Sequence, residues 1–292
     1  MKKYGTILII VAGIFWGTMG LFTRFLGNEG FNPFQIAAIR LFLAGVVFLI
    51  IMKKADPKQK GIARNDIPLF LGLGLGSVLF FTVCYYTALE ITSLSTAAIL
   101  LYTSPIWVMM LSAILFKERI TPKKLIALVL AFLGCVFTSG FGGALSPFGL
   151  IVGLCSGLGY GLYSILGTYA LRKYSPYTVT AYTFTIAGIG GLCICEPLEA
   201  LNLIMTNTDP LFICGFFILT ALITAVVPFL CYTLGLKTTE ASKAAIIATV
   251  EPIVATIIGI FCFSELLTYL SLAGILCVIG AIVLCNLSSQ KS

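Results

Sequence analysis

Long apolar runs separated by short polar punctuation fill this chain from end to end. A run of about 20 such residues crosses the hydrocarbon of a bilayer once as a helix. The pattern predicts ten spans, at residues 4–26, 34–52, 67–89, 93–116, 122–140, 147–170, 178–196, 210–236, 241–264 and 267–287. They are called spans 1 to 10 below. Most breaks carry turn chemistry: Asn32-Pro33, Asp56-Pro57, Thr121-Pro122, Ser146-Pro147, Ser175-Pro176 and Asp209-Pro210. At Thr121-Pro122 the hydroxyl can cap an orphan N–H and the proline has none to satisfy, a favourable helix start. The first run follows Lys2-Lys3 but is too long for a signal-peptide core and lacks a small-residue cleavage pattern, so it is expected to stay as a span. The fold class expected is an all-α integral membrane protein with ten transmembrane helices.

The runs also repeat. Residues 85–140 reappear without a gap at 232–287, an offset of 147. Tyr85 aligns with Tyr232, Ser95 with Ser242 and Pro105 with Pro252; Phe116, Glu118 and Thr121 align with Phe263, Glu265 and Thr268. Gly13-x3-Gly17 matches Gly157-x3-Gly161, and Pro33 matches Pro176, which extends the repeat to the first two spans of each copy. The chain therefore reads as two five-span units, 1–141 and 147–288. Five is odd, so the copies enter the membrane from opposite sides, as in carriers built from inverted repeats.

Composition agrees with a lipid solvent: 59% of residues are hydrophobic and only 10% charged, against roughly a quarter charged in soluble domains. The net charge of +7 could suggest a nucleic-acid partner, but its placement argues against one. With the N-terminus inside, all of the 18 Lys and Arg except Arg24 and Arg40 fall in the cytoplasmic segments. That asymmetry predicts cytoplasmic termini and a multi-pass protein of the cell membrane. Histidine is absent, and the ten cysteines offer no metal-ligand pattern, so neither a metal nor another cofactor is expected. No nucleotide-binding loop appears, and the longest loops, 53–66 and 197–209, are too short for an ATP-hydrolysing domain. Transport would be passive or driven by a gradient.

Candidate chemistry is sparse. Glu251 lies about ten residues into span 9, roughly 15 Å deep. A carboxylate there is costly; it either serves function or is a structural acid bonded to a neighbouring helix. Arg40, roughly 10 Å into span 2, can pair with Glu251, hold an anionic substrate or snorkel outward. Arg24 reads as an interface anchor and Lys243 as a topogenic lysine. Glu118 and Glu265 are expected to order the turns into spans 5 and 10. Pro105 and Pro252, after Ser104 and Glu251, are candidate hinges in spans 4 and 9. Trp16, Tyr102, Tyr160 and Tyr163 fall in the middle of their spans, with Tyr85 and Tyr232 nearer the ends. Each ring either lines a polar cavity or packs with its polar atom satisfied.

Together Phe15-Trp16-Gly17, Ile39-Arg40-Leu41-Phe42, Tyr85-x3-Leu89, Ser95-x-Ala97-Ala98, Pro105 and Phe116-Lys117-Glu118-Arg119 resemble the drug/metabolite transporter superfamily, in its EamA-type ten-helix form. The second copy, from Tyr232 through Glu251-Pro252 to Phe263-Ser264-Glu265, resembles it too. The resemblance implies a helical basket around a cavity lined by spans 1, 3, 4, 6, 8 and 9, with spans 5 and 10 outside. It implies a secondary transporter, working by alternating access, for a small metabolite: an amino acid, an amino-acid-like or an amphiphilic compound, with export favoured. Related branches take up vitamins or sugars or expel drugs. A highly phosphorylated cargo fits poorly, because Arg40 is the single basic candidate in the bilayer interior. The expected partners are a small-molecule substrate, the lipid bilayer and, for coupling, protons; the chain is expected to act as a monomer. A passive channel, an intramembrane enzyme and a sensor are the competing readings.

Overall fold

The computed structural model describes residues 2–57, 61–140 and 146–288. Regular structure among them is wholly helical. Lipid offers backbone groups no hydrogen bonds, so an apolar chain must satisfy them within each helix. Lys58, Lys60 and Lys291, which add to the charge asymmetry, lie outside the described residues.

Nine helical stretches are long and apolar enough to cross a membrane: Tyr4–Asn28, Pro33–Ala55, Arg64–Ile91, Leu94–Phe116, Pro122–Ser139, Pro147–Ala170, Pro210–Leu236, Ala241–Phe263 and Tyr269–Asn286. The tenth span, number 7, is the 17-residue helix Pro176–Leu192. It lies along its repeat mate, span 2, for most of its length. Five of the six X-Pro breaks cap a helix start, while Asp56 follows the end of span 2. Asn32 and Gln35 form a reciprocal capping box, and Thr121, Ser146, Ser175 and Asp209 each accept from the backbone N–H three residues on.

The sequence leaves 197–209 as a loop, but Pro197–Thr206 is a helix, bent 85° from span 7. Span 7 ends at Leu192 rather than at 196, and the chain turns at Glu196, whose φ of 52° precedes the next helix. Glu199 accepts from Gln35 and Asn207 donates to Glu29, which pins this helix across the turn between spans 1 and 2. Leu198, Leu201 and Met205 form its exposed apolar stripe.

The packing interleaves the two copies. Span 1 lies against spans 8 and 9 of the second copy. Span 6 lies against spans 3 and 4 of the first. Two pairs of repeat mates, spans 2 with 7 and 5 with 10, join these groups. The scaffold helices of those two pairs are continuous, whereas five of the remaining six spans are irregular. Span 1 breaks at Thr18, between Lys2–Gly17 and Met19–Asn28. Span 4 breaks between Leu94–Leu101 and Ser104–Phe116, and span 9 between Ala241–Ala248 and Glu251–Phe263. Spans 3 and 8 widen into π-helix at Gly72–Leu79 and Leu222–Val226. The offset of 147 carries the span 4 break onto the span 9 break, and residues 75–79 onto 222–226. Irregular backbone at membrane depth persists only where protein or a cavity satisfies it, so these segments mark the inside of the basket.

Candidate substrate site

The breaks in spans 4 and 9 are seated by glycines of the helices facing them. A Cβ on Gly13 or Gly17 would meet the backbone of Glu251. One on Gly157 or Gly161 would meet carbonyls of Leu100 or Ser104. The two glycine pairs thus do the same work in the two copies: a helix approaches a broken one closely enough to touch its backbone. Pro105 and Pro252 follow the breaks, in the first turn of each second half-helix, where a missing N–H costs nothing.

Glu251 opens the second half of span 9. An acid in a first turn sits at the favourable end of the helix dipole. The Tyr160 hydroxyl donates to its carboxylate at 3.4 Å, and the Tyr102 hydroxyl, at the span 4 break, reaches it as well. Trp16, the repeat mate of Tyr160 at an offset of 144, packs edge-on against it with centroids 5.9 Å apart. A pair of mates in contact places the pseudo-two-fold axis between them. Trp16 also packs on Phe229 and Tyr232, at 4.9 and 5.3 Å.

The same aromatic side chains border a small, nearly filled cleft, tighter than an open small-molecule site. Trp16, Ser104, Tyr160, Tyr163 and Tyr232 line it together. Hydroxyls at its wall pair off: those of Tyr163 and Thr233 lie 2.6 Å apart, and those of Ser164 and Tyr232 2.7 Å apart. Glu251, Tyr102, Tyr85 and Arg40 are not among its lining residues. Tyr85 meets Tyr86 edge-on, with ring centroids 5.5 Å apart. Arg40 is buried against the span 1 break and the π segment of span 8. Phe229, Thr233 and Ser164 enter this site although their sequence gives no sign beyond apolar or small character; their partners lie about 70 residues away in the chain.

The two ends of the site differ. On the face carrying the termini, Glu118 accepts from the Ala241 N–H at 3.1 Å and from the Ser242 hydroxyl, closing the first turn of span 9. Lys124 bridges Glu118 and Glu240 beside it. The half-helices Ser104–Phe116 and Ala241–Ala248 pack together there, burying Lys243, which the charge pattern places at the boundary. On the opposite face the mates Leu94–Leu101 and Glu251–Phe263 share at most marginal contact. Glu265, the mate of Glu118, turns away to Arg24 at 2.7 Å, whose guanidinium stacks on Phe263. So Glu118 and Glu265 reach across helices rather than only ordering turns. Lys117 and Ser264, at φ 55°, end their helices identically, so the difference is not local.

The EamA-like transporter family matches residues 3–140 and again 147–287. The chain belongs to the EamA-like transporter family. An uncharacterized transporter of Archaeoglobus fulgidus is 31% identical over 97% of this chain and 94% of its own length. Uncharacterized transporter YyaM of Bacillus subtilis is 24% identical over 86% and 84%. A crystal structure of a protein superposes over 100% of both chains with a TM-score of 0.79 at 16% identity, a likeness of fold alone. This EamA-like transporter is therefore a multi-pass membrane protein of two repeats that handles a small molecule.

Proposed function

We propose that the protein is a secondary carrier working by alternating access, closed here on the face that carries the termini. The unequal state of two repeat mates carries this reading: Glu118 caps span 9 while Glu265 leaves the equivalent turn of span 4, at Leu94 and Ser95, for Arg24. Inverted halves that exchange these two arrangements expose one site to each side in turn. A channel would hold both ends in one state, which is why the asymmetry favours a carrier. Units 1–141 and 147–288 are the halves that exchange, and Pro105 and Pro252 mark where their gates bend. Glu251 is the coupling or amine-binding group, the aromatic layer around it selects shape, and protons are the coupling ion the carboxylate suits. The cargo is an amino-acid-like or amphiphilic metabolite, moved outward by a monomer in the cell membrane. Spin labels across each face should change distance in opposite senses when a transported compound is added to proteoliposomes, and that compound should show saturable counterflow. Both faces opening together, or flux without saturation, would replace the carrier by a channel.

The charge asymmetry further predicts cytoplasmic termini, with Pro197–Thr206 outside. In a background freed of reactive native thiols, an impermeant reagent should label Asn207→Cys but not Lys173→Cys in intact cells. The reverse pattern would invert the orientation.

A further inference from the structure

Span 7 is short for the bilayer it crosses. Its 17 residues rise about 26 Å, against about 30 Å of hydrocarbon. Beyond it the Ile194 N–H bonds back to the Gly191 carbonyl, so the link to the next helix turns rather than climbs. Pro197–Thr206 then runs at 85° to span 7, close to the membrane plane. Short span and sharp bend together set this helix at the boundary of acyl chains and headgroups, in the leaflet opposite the termini. Its side chains divide into three sectors at about 100° per residue. Ala200, Leu203 and Ile204 face the protein, where Ala200 is buried and the other two pack against the cluster of Leu26, Phe31 and Ile36. Leu198, Leu201 and Met205 face outward and are 77%, 51% and 70% exposed. Asn202 and Thr206, also exposed, form a polar edge beside them. A helix lying on a protein in water needs an apolar inner face and a polar outer one. A third sector, apolar and uncovered, needs a solvent of its own.

That solvent is already present next door. The helix packs on the start of span 8, where Leu211 and Phe212 are exposed, so its outer stripe continues the lipid-facing surface of a span. Its one ionisable residue, Glu199, accepts from Gln35 at 2.9 Å instead of standing bare. Charged and polar residues gather at its ends, Glu196 before it and Asn207-Thr208-Asp209 after it, where the chain returns to water. The protein side is tied as well as packed. Gln35 holds Glu199 near one end of the helix, and Asn207, just past the other end, holds Glu29 at 2.9 Å. Both ties reach the turn between spans 1 and 2.

We infer that Pro197–Thr206 is an interfacial helix whose Leu198, Leu201 and Met205 lie among the acyl chains of the leaflet opposite the termini, and that it anchors the turn between spans 1 and 2 to that leaflet. The partner is lipid, held by burial of apolar area. Residues 196–209 carry no Lys or Arg, so anionic headgroups are not what the helix selects. The anchored turn closes the second part of span 1, Met19–Asn28, which follows the break at Thr18 and carries the Arg24 that pairs with Glu265. Lipid thus grips the one end of span 1 that its break leaves free to tilt. The anchoring holds whether the protein is a carrier or a channel.

The test uses the purified full chain, freed of reactive native thiols, in phosphatidylcholine vesicles and spin-labelled at one site at a time. Leu201→Cys and Met205→Cys report the stripe, and Asn202→Cys and Thr206→Cys the polar edge. Power saturation with oxygen, which concentrates in acyl chains, and with a water-soluble nickel chelate gives the depth of each label. The ratio of oxygen to nickel accessibility should be severalfold higher at Leu201 and Met205 than at Asn202 and Thr206. Equal ratios at all four positions would put the stripe in water and overturn the inference. Labels at Leu201 and Met205 shielded from both reagents, with spin–spin broadening between molecules, would make the stripe a contact between two copies and overturn it as well. The anchor is read from a label at Asn28→Cys, which is exposed at the end of span 1. Adding Leu201→Asp with Met205→Asp, which the acyl chains should expel, is expected to increase the mobility of that label. An unchanged Asn28 spectrum would overturn the anchoring. The depth comparison does not use the acidic variant, so it decides the lipid contact even if that variant does not fold.

Discussion

Glu251→Gln should abolish gradient-driven net transport, by roughly tenfold or more, in a protein that still folds. The amide keeps the shape and most of the hydrogen bonding of the carboxylate, so the Tyr160 contact at 3.4 Å survives while the charge is lost. Two versions of its role give different readouts. If Glu251 carries a proton through the cycle, exchange of cargo across the membrane persists while net flux and its pH dependence disappear. If Glu251 holds the amine of the cargo, exchange falls with net flux and apparent affinity weakens. Proteoliposomes loaded with or without unlabelled cargo distinguish these directly. A Gln variant with wild-type net flux and pH profile would remove Glu251 from the mechanism and leave transport to Arg40 and the aromatic layer. The reason to expect a large effect is cost: a carboxylate held mid-span between two tyrosine hydroxyls, unpaired with any cation among the described residues, is not there for stability.

Glu118→Ala and Glu265→Ala should shift the conformational equilibrium in opposite directions. Glu118 supplies charge-assisted bonds to the first turn of span 9, and such bonds contribute about 1.5–3 kcal/mol each. Its loss should move the population toward the state open on the face of the termini by roughly 100-fold or more. Glu265 now makes only a half-exposed pair with Arg24, with side-chain exposures of 50% and 45%, and exposed pairs contribute about 0–1 kcal/mol. Removing it costs the present state little. It removes the cap that span 4 would gain when the opposite face closes, so the population should stay on the present side. Distances between spin labels at Arg119 and Lys237 on one face, and at Glu90 and Leu266 on the other, report both shifts. If the two substitutions move the distributions in the same sense, the repeat mates are not exchanging roles. Neither should change the affinity measured for the closed site itself, since neither residue touches the cavity.

Much of this protein is written along the chain. Apolar runs of bilayer length, Ser, Thr, Asn and Asp before prolines, and the copy of 85–140 at 232–287 determine the helices, their starts and the inverted pairing. These are local or periodic signals, because a span needs only its own residues to satisfy its backbone in lipid. Trp16, Ser104, Tyr160, Tyr163 and Tyr232 are recognisable as polar or aromatic groups at membrane depth for the same reason. The helix Pro197–Thr206 escapes notice because ten residues are too few for a span, and its apolar side chains face both inward and outward. What only the tertiary structure decided is which groups meet. Glu118 reaches Ser242 across 124 residues, Arg24 reaches Glu265 across 241, and Arg40 reaches Thr224 across 184. Sequence makes Glu118 and Glu265 equivalents; packing gives one a helix to cap and the other a surface arginine. Sequence likewise leaves Arg40 free to pair with Glu251, and packing sets them apart on either side of the span 1 break. Partner choice across a bilayer depends on how ten helices lean on one another, which no local pattern encodes, and in an inverted repeat two nearly identical halves must differ at any moment for the site between them to face one side.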